Sequence, residues 1–153
     1  MRRLSGVVLA GALLLLPAVF SVGDGTLHAQ AAQALTFDGD SALWSVTIKP
    51  DKTADFEMIM AKVKEALMKS DKPERKQQAA GWKVFKSPDP AGANALYVFI
   101  IDPAVKGADY QISNIIGEAF TGAEANDILK KYAEAYAQGM NIVNLNLTQD
   151  FGK

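Results

Sequence analysis

The run Leu96-Tyr97-Val98-Phe99-Ile100-Ile101 sets six large apolar residues in succession, five of them β-branched or aromatic. Its length and residue types suit a strand, closed by Asp102-Pro103, that is apolar on both parities. Such a strand needs cover on both faces. The remainder of the chain can therefore be read as what supplies that cover.

A strand over 42–49 comes first, with Trp44, Val46 and Ile48 on one face and Ser45, Thr47 and Lys49 on the other. Pro50 ends it, since proline has no N–H for the ladder. Phe56, Ile59, Met60, Val63, Ala66 and Leu67 recur at helical spacing and predict a helix over 53–70. Asp55 and Glu57 in its first turn and Lys69 in its last suit the helix dipole. Met58, Met60 and Met68 are spread round this helix and read as gap-filling core. A short helix from Pro73 to Gly81 follows, on which Arg75 and Lys76 read as a solvated face. Trp82–Ser87 is a second strand. A turn-rich loop, Pro88 to Asn94, joins it to the central one as a hairpin.

Beyond Pro103, Asp109 is placed to cap a helix over 110–120. Thr121-Gly122-Ala123-Glu124 has the capping-box pattern for another, running to Gln138 with Gly139 as its stop. A last strand spans 140–151, where Val143, Leu145 and Leu147 alternate with Asn144, Asn146 and Thr148. The order is βαββαβ, the ferredoxin-like split βαβ arrangement: an α+β fold with a four-stranded antiparallel sheet and helices on one face. Trp44, Val46 and Ile48, with Val143, Leu145 and Leu147, are the expected helix-side faces. One triplet of the central strand, Leu96/Val98/Ile100 or Tyr97/Phe99/Ile101, then points away from the helices. Leaving three such side chains wet forgoes roughly 1.5–3 kcal/mol each, against roughly 5–15 kcal/mol for a whole domain. A second copy of the sheet, related by a two-fold axis, would cover both at once.

Over about Ala42 to Phe151 the chain resembles the dimeric α/β-barrel superfamily. The likeness lies in the element order, in Trp44-Ser45-Val46-Thr47-Ile48-Lys49-Pro50 leading to the Asp55-Phe56 helix, and in the strand pair Trp82–Lys86 and Leu96–Asp102. That superfamily includes cofactor-free monooxygenases, haem-degrading enzymes and stress-responsive barrel proteins. The resemblance implies a homodimer formed through the sheet. It also implies that oxygenation without a cofactor, using the substrate's own carbanion and a polar clamp, is open to the fold. A fold by itself does not establish an activity.

The N-terminus narrows the compartment. Met1-Arg2-Arg3 is a basic start, Val7–Phe20 is almost wholly apolar, and small residues follow near Ala29-Gln30-Ala31. That is the pattern of a cleaved secretory signal peptide over 1–31; the apolar run, about 14 residues, is short of the roughly 20 that span a bilayer. Residues 32–41 read as a flexible lead-in containing a solvated turn at Asp38-Gly39-Asp40, and 42–153 as a single domain. The product would be secreted or periplasmic and free of the membrane after cleavage. The chain has no cysteine, so no disulfide supports it. With 16 basic and 17 acidic residues it has no basic field for nucleic acid.

His28 is the only histidine and falls in the leader. The exported domain would therefore lack the imidazole or thiol needed for Ser–His–Asp and Cys–His catalysis, for His- or Cys-bound metals, and for histidine-ligated haem. No cofactor is expected. What remains is a pocket on the sheet face away from the helices, lined by Ser45, Thr47, Lys49, Asn144 and Asn146 with Tyr97 and Phe99 as walls. Amides, hydroxyls and rings on an apolar floor suit a small organic ligand; the same polar groups could instead form a hydrogen-bonded dimer interface. The sequence thus reads as a non-catalytic ligand-binding or interaction module working as a homodimer. The alternative is a cofactor-free monooxygenase acting on an aromatic or quinol-type substrate.

Overall fold

The computed structural model describes residues 32–152; the expected leader, with His28, lies outside the described residues. Strand β1, Ser41–Ile48, alternates strictly, with Ala42, Trp44, Val46 and Ile48 buried. A 3-10 turn at Pro50–Lys52 leads into α1, Thr53–Lys69, which buries Phe56, Ile59, Val63, Ala66 and Leu67. Helix α2, Pro73–Gly81, opens on proline, where the missing N–H costs no intrahelical bond. Strand β2, Trp82–Lys86, follows directly, and β3 is Ala95–Ile101. Helices α3, Ile112–Ala119, and α4, Gly122–Ala135, precede β4, Asn141–Leu145. The four strands form one antiparallel sheet in the order β2-β3-β1-β4. The fold is α+β and compatible with a ferredoxin-like arrangement. Among the described residues no helix is long and apolar enough to cross a membrane.

Register decides which face of each strand meets the helices. Trp44 lies opposite Phe99 on one side and Ile142 on the other, and Phe99 lies opposite Val84. Trp44 stacks on Phe99 at 4.5 Å, and Phe56 of α1 packs on Tyr97 at 4.7 Å. Tyr97, Phe99 and Ile101 therefore face the helices, and Leu96, Val98 and Ile100 face away. On β4 the expected parity is reversed. Leu43 pairs with Val143 and Ser41 with Leu145, so the aliphatic side chains lie on the face away from the helices. The backbone of 38–40 decides this, because its N–H groups must find acceptors as it approaches the sheet. Asn144 Oδ1 accepts from the N–H of Asp38 and Gly39, and Asn146 Oδ1 from that of Asp40.

Four further expectations are corrected. Residues 32–41, read as a flexible lead-in, are fastened along their length. Leu35 donates to Asp109 Oδ1 and accepts from Tyr110 N, Phe37 is buried against the Tyr110 ring, and Lys106 donates to the carbonyls of Asp38 and Gly39. Arg75 is 3% exposed instead of solvated. It donates twice to Glu118 on α3, to Gln78 Oε1 and to the Asp109 carbonyl, joining α2 to α3 and the loop before it. No side-chain capping bond forms at Thr121, and Glu124, the reciprocal member of the expected capping box, reaches across to Lys62 of α1 at 3.2 Å instead. Helix α4 stops at Ala135, not Gln138, because Ala135 and Ala137 give their backbone groups to Lys49 and Thr47 at the end of β1.

Candidate functional site

The helix-free face of the sheet is the candidate site. Its centre is built from alternate residues of β1 and β3: Leu43, Ser45 and Thr47 beside Ile100, Val98 and Leu96. The outer strands extend it, with Phe85 of β2 beside Val98 and Val143 of β4 beside Leu43. These strands place side chains on this face at every second residue because the strand period is two. Phe85 is 49% exposed, Val143 43%, Leu145 42% and Ile100 37%. Within this apolar field the hydroxyls of Ser45 and Thr47 stand two residues apart on one strand. Thr47 Oγ1 is buried and has no hydrogen-bond partner among the described residues. Lys83, opposite Ile100, brings a charge to the β2 side.

The residues expected to form one pocket are divided between the two faces. Ser45 and Thr47 lie on the open face. Lys49 lies just beyond the end of β1, where its ammonium donates to the Glu134 carbonyl at 2.8 Å. Tyr97 and Phe99 are in the core under the helices. The Tyr97 hydroxyl donates to Glu57 Oε1 at 2.6 Å, and Lys86 donates to the same oxygen at 2.9 Å. Burial first, and then the Glu57 hydrogen bond, push the Tyr97 phenol above its ordinary value; the bonds from Tyr97 and Lys86 hold Glu57 below its own. Asn144 and Asn146 turn to the other side of the sheet, where the 38–40 backbone engages them.

The apolar members of the site, Leu43, Phe85, Val98, Ile100, Val143 and Leu145, were not among the expected pocket residues: Val98 and Ile100 belong to one of the two triplets that could face away from the helices, and Val143 and Leu145 were expected on the helix side. Alternation did set Phe85 apart from Trp82 and Val84. Nothing in β2 alone tells which of those sets turns toward the helices. The open face offers an apolar platform with the Ser45 hydroxyl, the Thr47 hydroxyl being buried beneath it. That suits a flat apolar ligand or another sheet better than a reaction needing proton transfer.

A second concavity, about 580 Å³, lies between α1, α2 and α3 around Arg75 and Glu118. Its charges are largely satisfied by one another: Glu118 holds Arg75 and Lys72, and Glu65 holds Lys69. Among the described residues no group of three or more His, Cys, Asp or Glu is arranged to hold a metal ion. Comparison with protein-family models, with curated proteins and with solved structures finds no match.

Proposed function

We propose that this chain is an exported, non-catalytic ligand-binding or interaction module that works as a homodimer through the open face of its sheet. The assembly would be a ferredoxin-like dimeric α/β barrel. The observation that carries this reading is the set Phe85, Ile100, Val143 and Leu145, each left between a third and a half exposed on one helix-free surface. Four strands about 4.8 Å apart and averaging about six residues give that face roughly 400 Å² in projection, and its corrugated side chains present more accessible area. The projected face is about half of the ~800 Å² of accessible surface per partner typical of stable interfaces. A second copy is self-complementary here by symmetry, and the Ser45 hydroxyl can exchange hydrogen bonds across the axis or hold a small ligand between the sheets. Export rests on the basic and apolar pattern of Met1–Phe20.

The oxygenase alternative rests on resemblance alone. Asn144 and Asn146, the amides that would clamp a substrate, accept from the lead-in backbone instead. Sedimentation velocity on the purified chain across a micromolar concentration series tests the dimer. A two-fold mass that falls to one on dilution is the expected result, and a monomer throughout the series sinks the reading.

A further inference from the structure

A groove of about 500 Å³ runs between α1 and the α2–β2 junction, away from the open sheet face. One wall is the α1 row Met60, Val63, Leu67 and Met68, spaced as neighbours along one side of a helix. The row covers eight rises of 1.5 Å, so the groove is elongated by about 12 Å along the helix. The opposite wall is Ala79, Trp82 and Val84. Met68 is 55% exposed and Val84 41%, so this apolar channel is open to solvent. The expectation that Met68 fills the core is thus corrected: it borders the groove.

The lining also includes two lysines, Lys64 on α1 and Lys83 on β2, and no acidic residue contributes to it. Among the described residues neither lysine has an ion-pair partner, although ten ion pairs use most of the other lysines. A channel of aliphatic and thioether groups bounded by unpaired cations is complementary to an apolar tail with an anionic head. A peptide laid in it would bury amide groups that these side chains cannot pair, whereas a hydrocarbon chain makes no such demand. The volume lies within the range of small-molecule sites.

We infer that this groove binds an aliphatic carboxylate, its chain lying along Met60–Met68 and its carboxylate held by Lys64, with Lys83, whose strand position faces the open side of the sheet, adding positive charge at the groove's edge. The probe is dodecanoate, used below its micelle threshold with the full chain, with dodecanol as the uncharged control. The readout is methyl NMR of methionine-labelled protein. Dodecanoate should shift the methyl resonances of Met60 and Met68 and leave that of Met140, beside β4, in place. Reversing both cations, Lys64→Glu with Lys83→Glu, should weaken dodecanoate by about fivefold or more per charge and leave dodecanol unaffected. Filling the groove with Ala79→Trp should abolish binding of both probes. Because both lysines are exposed, the reversal still decides the matter if Ala79→Trp does not fold. Absence of any shift up to the solubility limit overturns the inference. So does a shift at Met140 instead of Met60 and Met68, or dodecanoate binding unchanged by the lysine reversal. An acidic amphipathic peptide that moves the two methyls when dodecanoate does not also overturns it.

Discussion

Replacing Phe85 by aspartate separates the two things its ring does. About half of the side chain is already covered within one copy, since it is 49% exposed. Full burial of a phenylalanine side chain is worth up to about 3 kcal/mol, so the covered half contributes roughly 1.5 kcal/mol to folding of the single chain. The exposed half represents a similar amount available to a partner. A two-fold interface uses it twice, about 3 kcal/mol per dimer, which is roughly a 100-fold change in dissociation constant. The introduced carboxylates would face an apolar surface in both copies and add to that loss. Sedimentation equilibrium on the native chain and Phe85→Asp should therefore differ by at least about 100-fold in dimer affinity. Urea unfolding of the variant, at concentrations where both chains are monomeric, should show a loss of only about 1.5 kcal/mol. An unchanged association constant, alongside the expected modest loss of stability, would refute the assignment of this face to a partner.

Three other perturbations follow from the packing. Burial raises the carboxyl of Glu118, but hydrogen bonds from Arg75 and Lys72 outweigh it and hold the group below its ordinary value. Asp109 is likewise held below its ordinary value: burial opposes this, while the Asn114 side chain and the Gln111 and Leu35 N–H groups favour it. Folded values below unfolded ones stabilise the chain fully above the unfolded values, about 4, and the gain is lost as pH falls through the depressed folded values. Stability by urea unfolding should thus decline below about pH 4, and Asp109→Asn with Glu118→Gln should flatten that decline. Removing the cation itself, Arg75→Ala, should cost about 2–4 kcal/mol, because it leaves Gln78 Oε1 without its buried donor, takes two donors from Glu118, and leaves the Asp109 carbonyl only Gln78 Nε2; calorimetry checks this. Gly39→Ala should be destabilising by more than 1 kcal/mol and loosen amide protection over 35–40 in hydrogen exchange, because a Cβ there would meet the Leu145 backbone at 2.6 Å. A Gly39→Ala chain as stable as the native one would contradict that close approach.

Much of this fold is legible in local pattern. The run Leu96–Ile101 announced a strand needing cover on both sides. Strict alternation in 41–48 separated the Trp44 face from the Ser45 face, and Pro73 and Gly81 bounded α2. These are properties of period and backbone preference, carried by neighbouring residues and so present in the chain itself. Other features depend on what a residue meets far along the chain. Alternation in β4 shows that Val143, Leu145 and Leu147 share a face, but a shift of one residue in pairing exchanges the faces. The choice was made by the 38–40 backbone, a hundred residues away, whose N–H groups claim Asn144 and Asn146. Arg75 looks like any solvated helix residue until Glu118, Gln78 and the Asp109 carbonyl close round it. Gly81 was legible as a helix end, yet the tight constraint on it is the Pro103 carbonyl, 2.6 Å from where a Cβ would stand. The sequence by itself determined the elements and the need to cover the central strand. Tertiary structure alone decided that Leu96, Val98 and Ile100 form the face left open, because face and partner are properties of register, and register is set by pairings distant in the chain.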